Sequence, residues 1–260
     1  MDFDLALAGI IIGTLVGLTG IGGGSLLTPA LIIIFKFNPL TAVGTDLVFN
    51  AATKLFGSVQ HSRQGTIDYR LAFTLAVGSI PASLAGIGLI TLLEHVYGVN
   101  IEQTILRVLA GTLIVAGGIM ILRPLLERPG QRPDEVRIQL PHAARRRTTI
   151  ALGAVTGFLV GLTSIGSGAL IVPVLSLFYP LAMKRLVGTD IFHAMLLASV
   201  TATAHWGAGN VDWGLAGNLL IGSVPGVVFG ARLAVVAPDR VMRTALGLLV
   251  VFSGARLFTV

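Results

Sequence analysis

The residues able to do chemistry in this chain are few, and they recur in pairs. Asp46 and Asp190 each close a Val-Gly-Thr-Asp run, at 43–46 and 187–190, inside long apolar stretches. Lys54 lies within LVFNAATKLFGSV, and His193 and His205 lie in the corresponding later segment, with Asn50 and Gln60 as weaker polar neighbours. Two glycine-rich runs accompany them, GLTGIGGGSLLTP at 17–29 and GLTSIGSGALIVP at 161–173. Ionisable groups inside a membrane are expensive and are functional candidates by default. A glycine-rich break that leads into a helix offers free N–H groups and the positive end of a helix dipole, which together suit an anion. The chemistry spelled out is therefore anion binding with proton transfer. No cysteine is present, and no HExxH or GxSxG spacing supports a catalytic site, so the chain is expected not to be an enzyme and to need no cofactor or metal.

Each of these residues also has a plainer reading. Thr or Asp at a helix start caps orphan N–H groups, so Thr45–Asp46 and Thr189–Asp190 read equally as caps and as site residues. Lys54 has no charged counterpart, Ala198 standing in the matching slot; it can bind an anion, pair with Asp46 or Asp190, or snorkel to the surface near Arg63. Histidines in such segments serve as proton carriers or as hydrogen-bonded packing residues. Gly78, Gly86, Gly88, Gly111, Gly117 and Gly118 read as close-packing positions, whereas the clustered and repeated breaks read as a site.

The elements that must hold these groups are membrane helices. The chain has 260 residues, 54% hydrophobic and 12% charged, with a mean hydropathy of +0.88. A soluble domain carries about twice that charged fraction. Adding 144 to the first glycine run gives the second, and the register continues through Val-Gly-Thr-Asp, His61 on His205, Asp68 on Asp212 and Gly78-Ser79 on Gly222-Ser223. An insertion near 94–100 then moves it, so that Arg107 and Gly111 match Arg243 and Gly247. The chain divides into a first transmembrane repeat at 1–122, a basic linker at 123–147 and a second repeat at 148–260.

The linker carries seven arginines against three acidic residues and is expected on the cytoplasmic side. Its charge is read as topology rather than as nucleic-acid or anionic-lipid binding. Arg63 and Arg70 mark one loop of the first repeat, and the equivalent loop of the second has no Lys or Arg; for the later loops the bias swaps. Equivalent loops on opposite faces indicate inverted-topology repeats with an odd number of crossings each. The fold class is thus an all-α polytopic membrane protein of two inverted repeats, with both termini outside. Each repeat has five apolar pieces, in the first at about 5–20, 24–37, 40–60, 70–92 and 103–122. The two flanking the glycines are short against the 17–25 residues of a usual span. A broken, re-entrant hairpin plus three transmembrane helices is favoured over five full crossings.

Two copies of G-L-T-x-I-G-x-G followed by a proline, each trailed by V-G-T-D and a later His, resemble the TauE/SafE family of sulfite exporters, also called the toluene sulfonate uptake permease family. The resemblance covers almost the whole chain. It implies a bacterial inner-membrane exporter of sulfite, sulfoacetate or another organosulfur anion, driven by the proton gradient, with its motifs at Gly17 to Pro29, Gly44 to Asp46, Gly161 to Pro173 and Gly188 to Asp190. The second copy departs at Ser164 and Ser167, where the first has Gly20 and Gly23. The expected substrate-binding residues are Thr19, Gly20, Gly22, Gly23, Gly24, Ser25, Thr45, Lys54, Thr163, Ser164, Gly166, Ser167, Gly168 and Thr189. The expected proton-coupling residues are Asp46, Asp190, His193 and His205. Partners are a small sulfur-containing anion, protons and membrane lipid, with a homodimer left open and no nucleic acid. Alternating access is the expected mechanism, and an anion channel for small oxyanions is the alternative.

Overall fold

A computed structural model describes residues 3–19, 23–97, 101–126, 141–165, 170–234 and 239–259. Gly20, Gly22, Gly166, Ser167 and Gly168, together with most of the linker, lie outside the described residues. Among those described, the order is α1 (Phe3–Thr19), a single tight turn at Gly23–Ser25, α2 (Leu27–Ile33), α3 (Pro39–Arg63), α4 (Tyr69–Tyr97), α5 (Ile101–Leu126), α6 (His142–Thr163), α7 (Ile171–Phe178), α8 (Met183–Gly207), α9 (Trp213–Ala234) and α10 (Asp239–Leu257). The same sequence of one long, one short and three long helices occurs twice. Residues 69–93, 101–122, 183–207 and 213–230 are long and apolar enough to cross a membrane, and large apolar side chains such as Phe56, Val77, Phe229 and Phe252 point outward. The chain is a multi-pass membrane protein.

The five apolar pieces of each repeat become five helices, and the second is shortest. With 7 residues in α2 and 8 in α7, these helices are about 10 to 12 Å long at 1.5 Å per residue, far short of a bilayer. The linker is narrower than its polar composition indicates, because α5 continues to Leu126 and α6 begins at His142.

Every long helix takes its main partner from the other half: α1 packs on α9, α6 on α4, α3 on α8 and α5 on α10. Glycines set these contacts. Gly9, Gly13 and Gly17 of α1 rest on the carbonyls of Leu219, Ser223 and Val227, and Gly153, Gly157 and Gly161 of α6 rest on those of Leu75, Ser79 and Ser83. A Cβ at any of the six would sit 2.2 to 2.6 Å from the oxygen it faces, so only glycine lets the backbones meet. Numbers rise together in both pairs, so α1 runs parallel to α9 and α6 parallel to α4. Since Ser83 is the middle residue of α4, α6 stops about halfway along its partner. Gly117 and Gly254 meet α10 and α5 with numbers running oppositely, so that pair is antiparallel. Of the six glycines read as packing positions, Gly78, Gly86 and Gly117 do touch a neighbouring helix. Gly88, Gly111 and Gly118 have nothing within 4 Å, so that reading fails for them.

The Val-Gly-Thr-Asp runs lie in the second turn of α3 and of α8, not at a helix start, which excludes the capping alternative. Asn38 caps α3 through the Leu40 N–H, and Asp68 and Asp212 cap α4 and α9 through the N–H groups of Leu71 and Leu215. The glycine and threonine of each run instead join the halves. Gly44 lies under the Asn210 carbonyl while Thr45 Oγ1 accepts the Asp212 N–H at 3.1 Å; Gly188 lies under the Thr66 carbonyl while Thr189 Oγ1 accepts the Asp68 N–H at 2.9 Å. Each half thus grips the turn before the fourth helix of the other.

Candidate functional site

The two glycine-rich breaks meet. Gly24, in the turn after α1, lies so close to the chain just after α6 that a Cβ there would be 2.4 Å from the Ser164 carbonyl and 3.4 Å from Asp46 Oδ2. Ser164 ends α6 in the left-handed region, with φ 61° and ψ 0°. A non-glycine residue held there costs about 1–3 kcal/mol, and such strain clusters at functional sites. The corresponding position of the first half is Gly20, so the second half carries a serine where glycine would sit without strain.

A buried polar cluster fills this meeting point. Thr28 Oγ1 donates to Asp46 Oδ2 at 2.6 Å, and Asn50 Nδ2 donates to Asp46 Oδ1 at 2.9 Å. Ser164 lies within hydrogen-bonding reach of both Asp46 and Asn50. Ser25 is buried beside them in sequence. The spacing of Asp46, Asn50 and Lys54 along α3 puts all three on one helical face. Lys54 is only 7% exposed and interacts electrostatically with both Asp190 and Asp46. It is therefore an interior amine; the snorkelling alternative does not hold, because the side chain is buried in mid-helix against α8. Asn50, Lys54 and Ser164 line a small cavity closed by Leu47, Val160, Ala194, Leu197 and Ala198. Its volume is about 10 Å³, room for roughly one water molecule.

The cluster does not obey the repeat. Where the first half has Thr28, Asn50 and Lys54, the second has Val172, Ala194 and Ala198; where it has Phe49, the second has His193. His193 is fully buried, with Nε2 2.8 Å from Ser79 Oγ and Nδ1 without a hydrogen-bond partner among the described residues. Beyond it, Thr201 Oγ1 donates to Ser83 Oγ at 3.1 Å. His205 Nε2 donates to the Gly161 carbonyl at 2.9 Å. That carbonyl lacks its usual helical partner, because the Ile165 N–H is taken by Thr163 Oγ1 at 3.2 Å. His205 and Thr163 thus finish the broken helix end.

Of the residues singled out in the sequence, the structure brings together Gly24, Asp46, Lys54 and Ser164, with Asp190 coupled through Lys54, while Ser25 is buried in the turn after Gly24. Thr45 and Thr189 are occupied at the joints between halves and do not line the cavity. Gln60 is exposed. Thr28 escaped the sequence reading, although its replacement by Val172 in an otherwise matching motif is the same asymmetry that singles out Lys54.

With carboxylates, hydroxyls, an amide and one ammonium enclosed between two halves of a helical membrane protein, this is the architecture of a membrane transporter. Residues 5–257 match the family described as sulfite exporter TauE/SafE, and the chain belongs to that family. It is similar to the probable membrane transporter protein YjnA of Bacillus subtilis (strain 168), at 40% identity over 99% of this chain and 100% of that one. It is also similar to the probable membrane transporter protein YunE of the same organism, at 27% identity over 92% of this chain and 89% of that one. A stretch of 123 residues is 31% identical to an undecaprenyl-diphosphatase of Mycolicibacterium paratuberculosis (strain ATCC BAA-968 / K-10), covering 43% of this chain and 40% of that protein. No solved structure matches significantly.

Proposed function

We propose that this protein is a secondary transporter that exports sulfite or a related organosulfur anion across the bacterial inner membrane by alternating access, coupled to protons. One observation carries the reading: the buried cluster of Asp46, Thr28, Asn50, Ser164 and Lys54 where the two breaks meet, built from both halves. The anion displaces water beside Lys54, Asn50 and Ser164. The Lys54 ammonium, the Asn50 amide and the Ser164 hydroxyl, which line the cavity where the breaks meet, replace its hydration.

Charge supplies the coupling. Asp46 and Asp190 ionised with Lys54 protonated give the site a net charge of −1, which repels an anion; one proton on either carboxylate brings it to zero. Anion and proton binding are then reciprocally linked. A divalent anion leaving with one proton still moves one net negative charge outward. A negative interior favours that step by about 2.3 kcal/mol per 100 mV.

The two halves are inverted repeats, each a re-entrant hairpin and three crossings. This is supported by the parallel pairing of α1 with α9 and of α6 with α4, which sends the two hairpins in from opposite faces, and by the halfway end of α6. The termini lie outside and the arginine-rich linker in the cytoplasm.

The test is sulfite flux in proteoliposomes under imposed pH gradients. Wild-type flux saturates with sulfite and responds to pH, while Asp46→Asn with Asp190→Asn loses the pH response. If the double variant keeps the wild-type response, these carboxylates are not the coupling groups. Flux that neither saturates nor depends on pH replaces the transporter with an anion channel.

A further inference from the structure

A second, larger cavity lies away from the polar cluster, where the first turns of α4 and α6 run side by side. Its volume is about 860 Å³, within the roughly 300–1,000 Å³ of small-molecule sites. One end is cationic: Arg70 comes from the first half, and Arg145 and Arg146 from the start of the second. The carboxylate on this rim, Asp68, is already engaged by the Leu71 N–H and by Arg185 at 4.0 Å. The cationic end is also ordered from below, because the Arg145 guanidinium sits 5.6 Å from the centre of the Tyr179 ring and Tyr179 Oη bonds Thr149 Oγ1 at 2.7 Å.

The other end is apolar and open sideways. Phe73 and Val77 are on the wall one and two turns further along α4, 54% and 60% exposed, with Ile150 opposite on α6. In a membrane protein such faces meet acyl chains rather than water. The groove therefore offers guanidinium groups at headgroup level and, continuous with them, an apolar channel running toward the bilayer core. A free phosphate or a soluble anion would leave that channel unfilled.

We propose that this groove binds one anionic phospholipid, its phosphate held by Arg70, Arg145 and Arg146 and one acyl chain laid along Phe73 and Val77. The site bridges the two halves, and the reading does not depend on what the protein transports. The experiment is native mass spectrometry of the full chain in detergent, titrated with phosphatidylglycerol or phosphatidylcholine. Wild type retains one phosphatidylglycerol in preference to phosphatidylcholine. Arg70→Gln with Arg146→Gln, both exposed positions, weakens that retention roughly 30-fold. Arg63→Gln with Lys184→Gln, which lie outside the groove, leaves it unchanged. Val77→Trp keeps every charge, fills the channel and also abolishes retention. Equal retention of the two lipids overturns the proposal, as does equal loss in the two charge-deleted variants. Displacement of the lipid by millimolar inorganic phosphate overturns it too, by assigning the arginines to a free anion. Thermal melting of each variant in phosphatidylcholine nanodiscs verifies that it is folded.

Discussion

Replacing Thr28 by valine tests the coupling scheme at a single atom. The second half carries Val172 at the matching place, so the fold accommodates valine there, and the change removes the hydroxyl with little change of shape. The lost bond is the 2.6 Å contact from Thr28 Oγ1 to Asp46 Oδ2; the bond from Asn50 at 2.9 Å stays. A hydrogen bond to a charged group contributes about 1.5–3 kcal/mol. The Thr28 hydroxyl donates, so it favours the ionised carboxylate over the protonated one. Removing it makes protonation easier, and the carboxylate takes up its proton at a higher pH than before. At about 1.4 kcal/mol per pH unit, the midpoint of the pH dependence of sulfite flux moves up by about 1–2 units. The assay is flux into proteoliposomes with pH varied together on both sides, with Thr28→Ser restoring the wild-type midpoint. A folded Thr28→Val protein whose midpoint stays within about 0.3 unit of wild type, or moves down, refutes the assignment of Asp46 as a coupling group.

Further expectations follow from the same geometry. Ser164→Gly relieves the left-handed strain and raises the melting temperature, a gain of about 1 kcal/mol, while flux falls because the hydroxyl beside Asn50 is gone. Gly24→Ala forces a Cβ against the Ser164 carbonyl, costs about 1–3 kcal/mol in melting experiments and removes transport by spreading the two breaks. Thr45→Val and Thr189→Val each leave a turn N–H unpaired, lowering stability by about 1–3 kcal/mol without moving the pH midpoint of flux. Lys54→Met removes the amine that interacts with Asp46 and Asp190, so sulfite half-saturation at fixed pH rises at least about tenfold; an unchanged value removes Lys54 from the site.

The duplicated motifs made much of the fold legible. A constant offset of 144 carries Gly9, Gly13 and Gly17 onto Gly153, Gly157 and Gly161, and the structure gives both sets the same work against matching carbonyls. The shortness of the pieces around the breaks is likewise visible in α2 and α7. What the sequence could not convey is which half each helix packs against. Thr45 is a hydroxyl in an apolar run, and nothing near it says that Asp212 supplies its partner N–H; that contact exists only once α3 meets the turn before α9. Thr28 stayed hidden for the same reason, because its proton goes to a carboxylate 18 residues away on another helix. Lys54 was legible as an anomaly, but its burial depends on α8 lying across it.

The exchange of partners between halves has a consequence for synthesis. The glycine face of α1 needs α9, and α9 begins roughly 190 residues after α1 ends, which at about 5–20 residues per second is a wait of about 10–40 seconds. During that interval the newly made first half sits in the bilayer with its most closely fitted surface covered only by lipid. Truncating the chain before α9 therefore leaves α1 without a mate, and a nascent-chain protease assay should find the first half sensitive until α9 has left the ribosome.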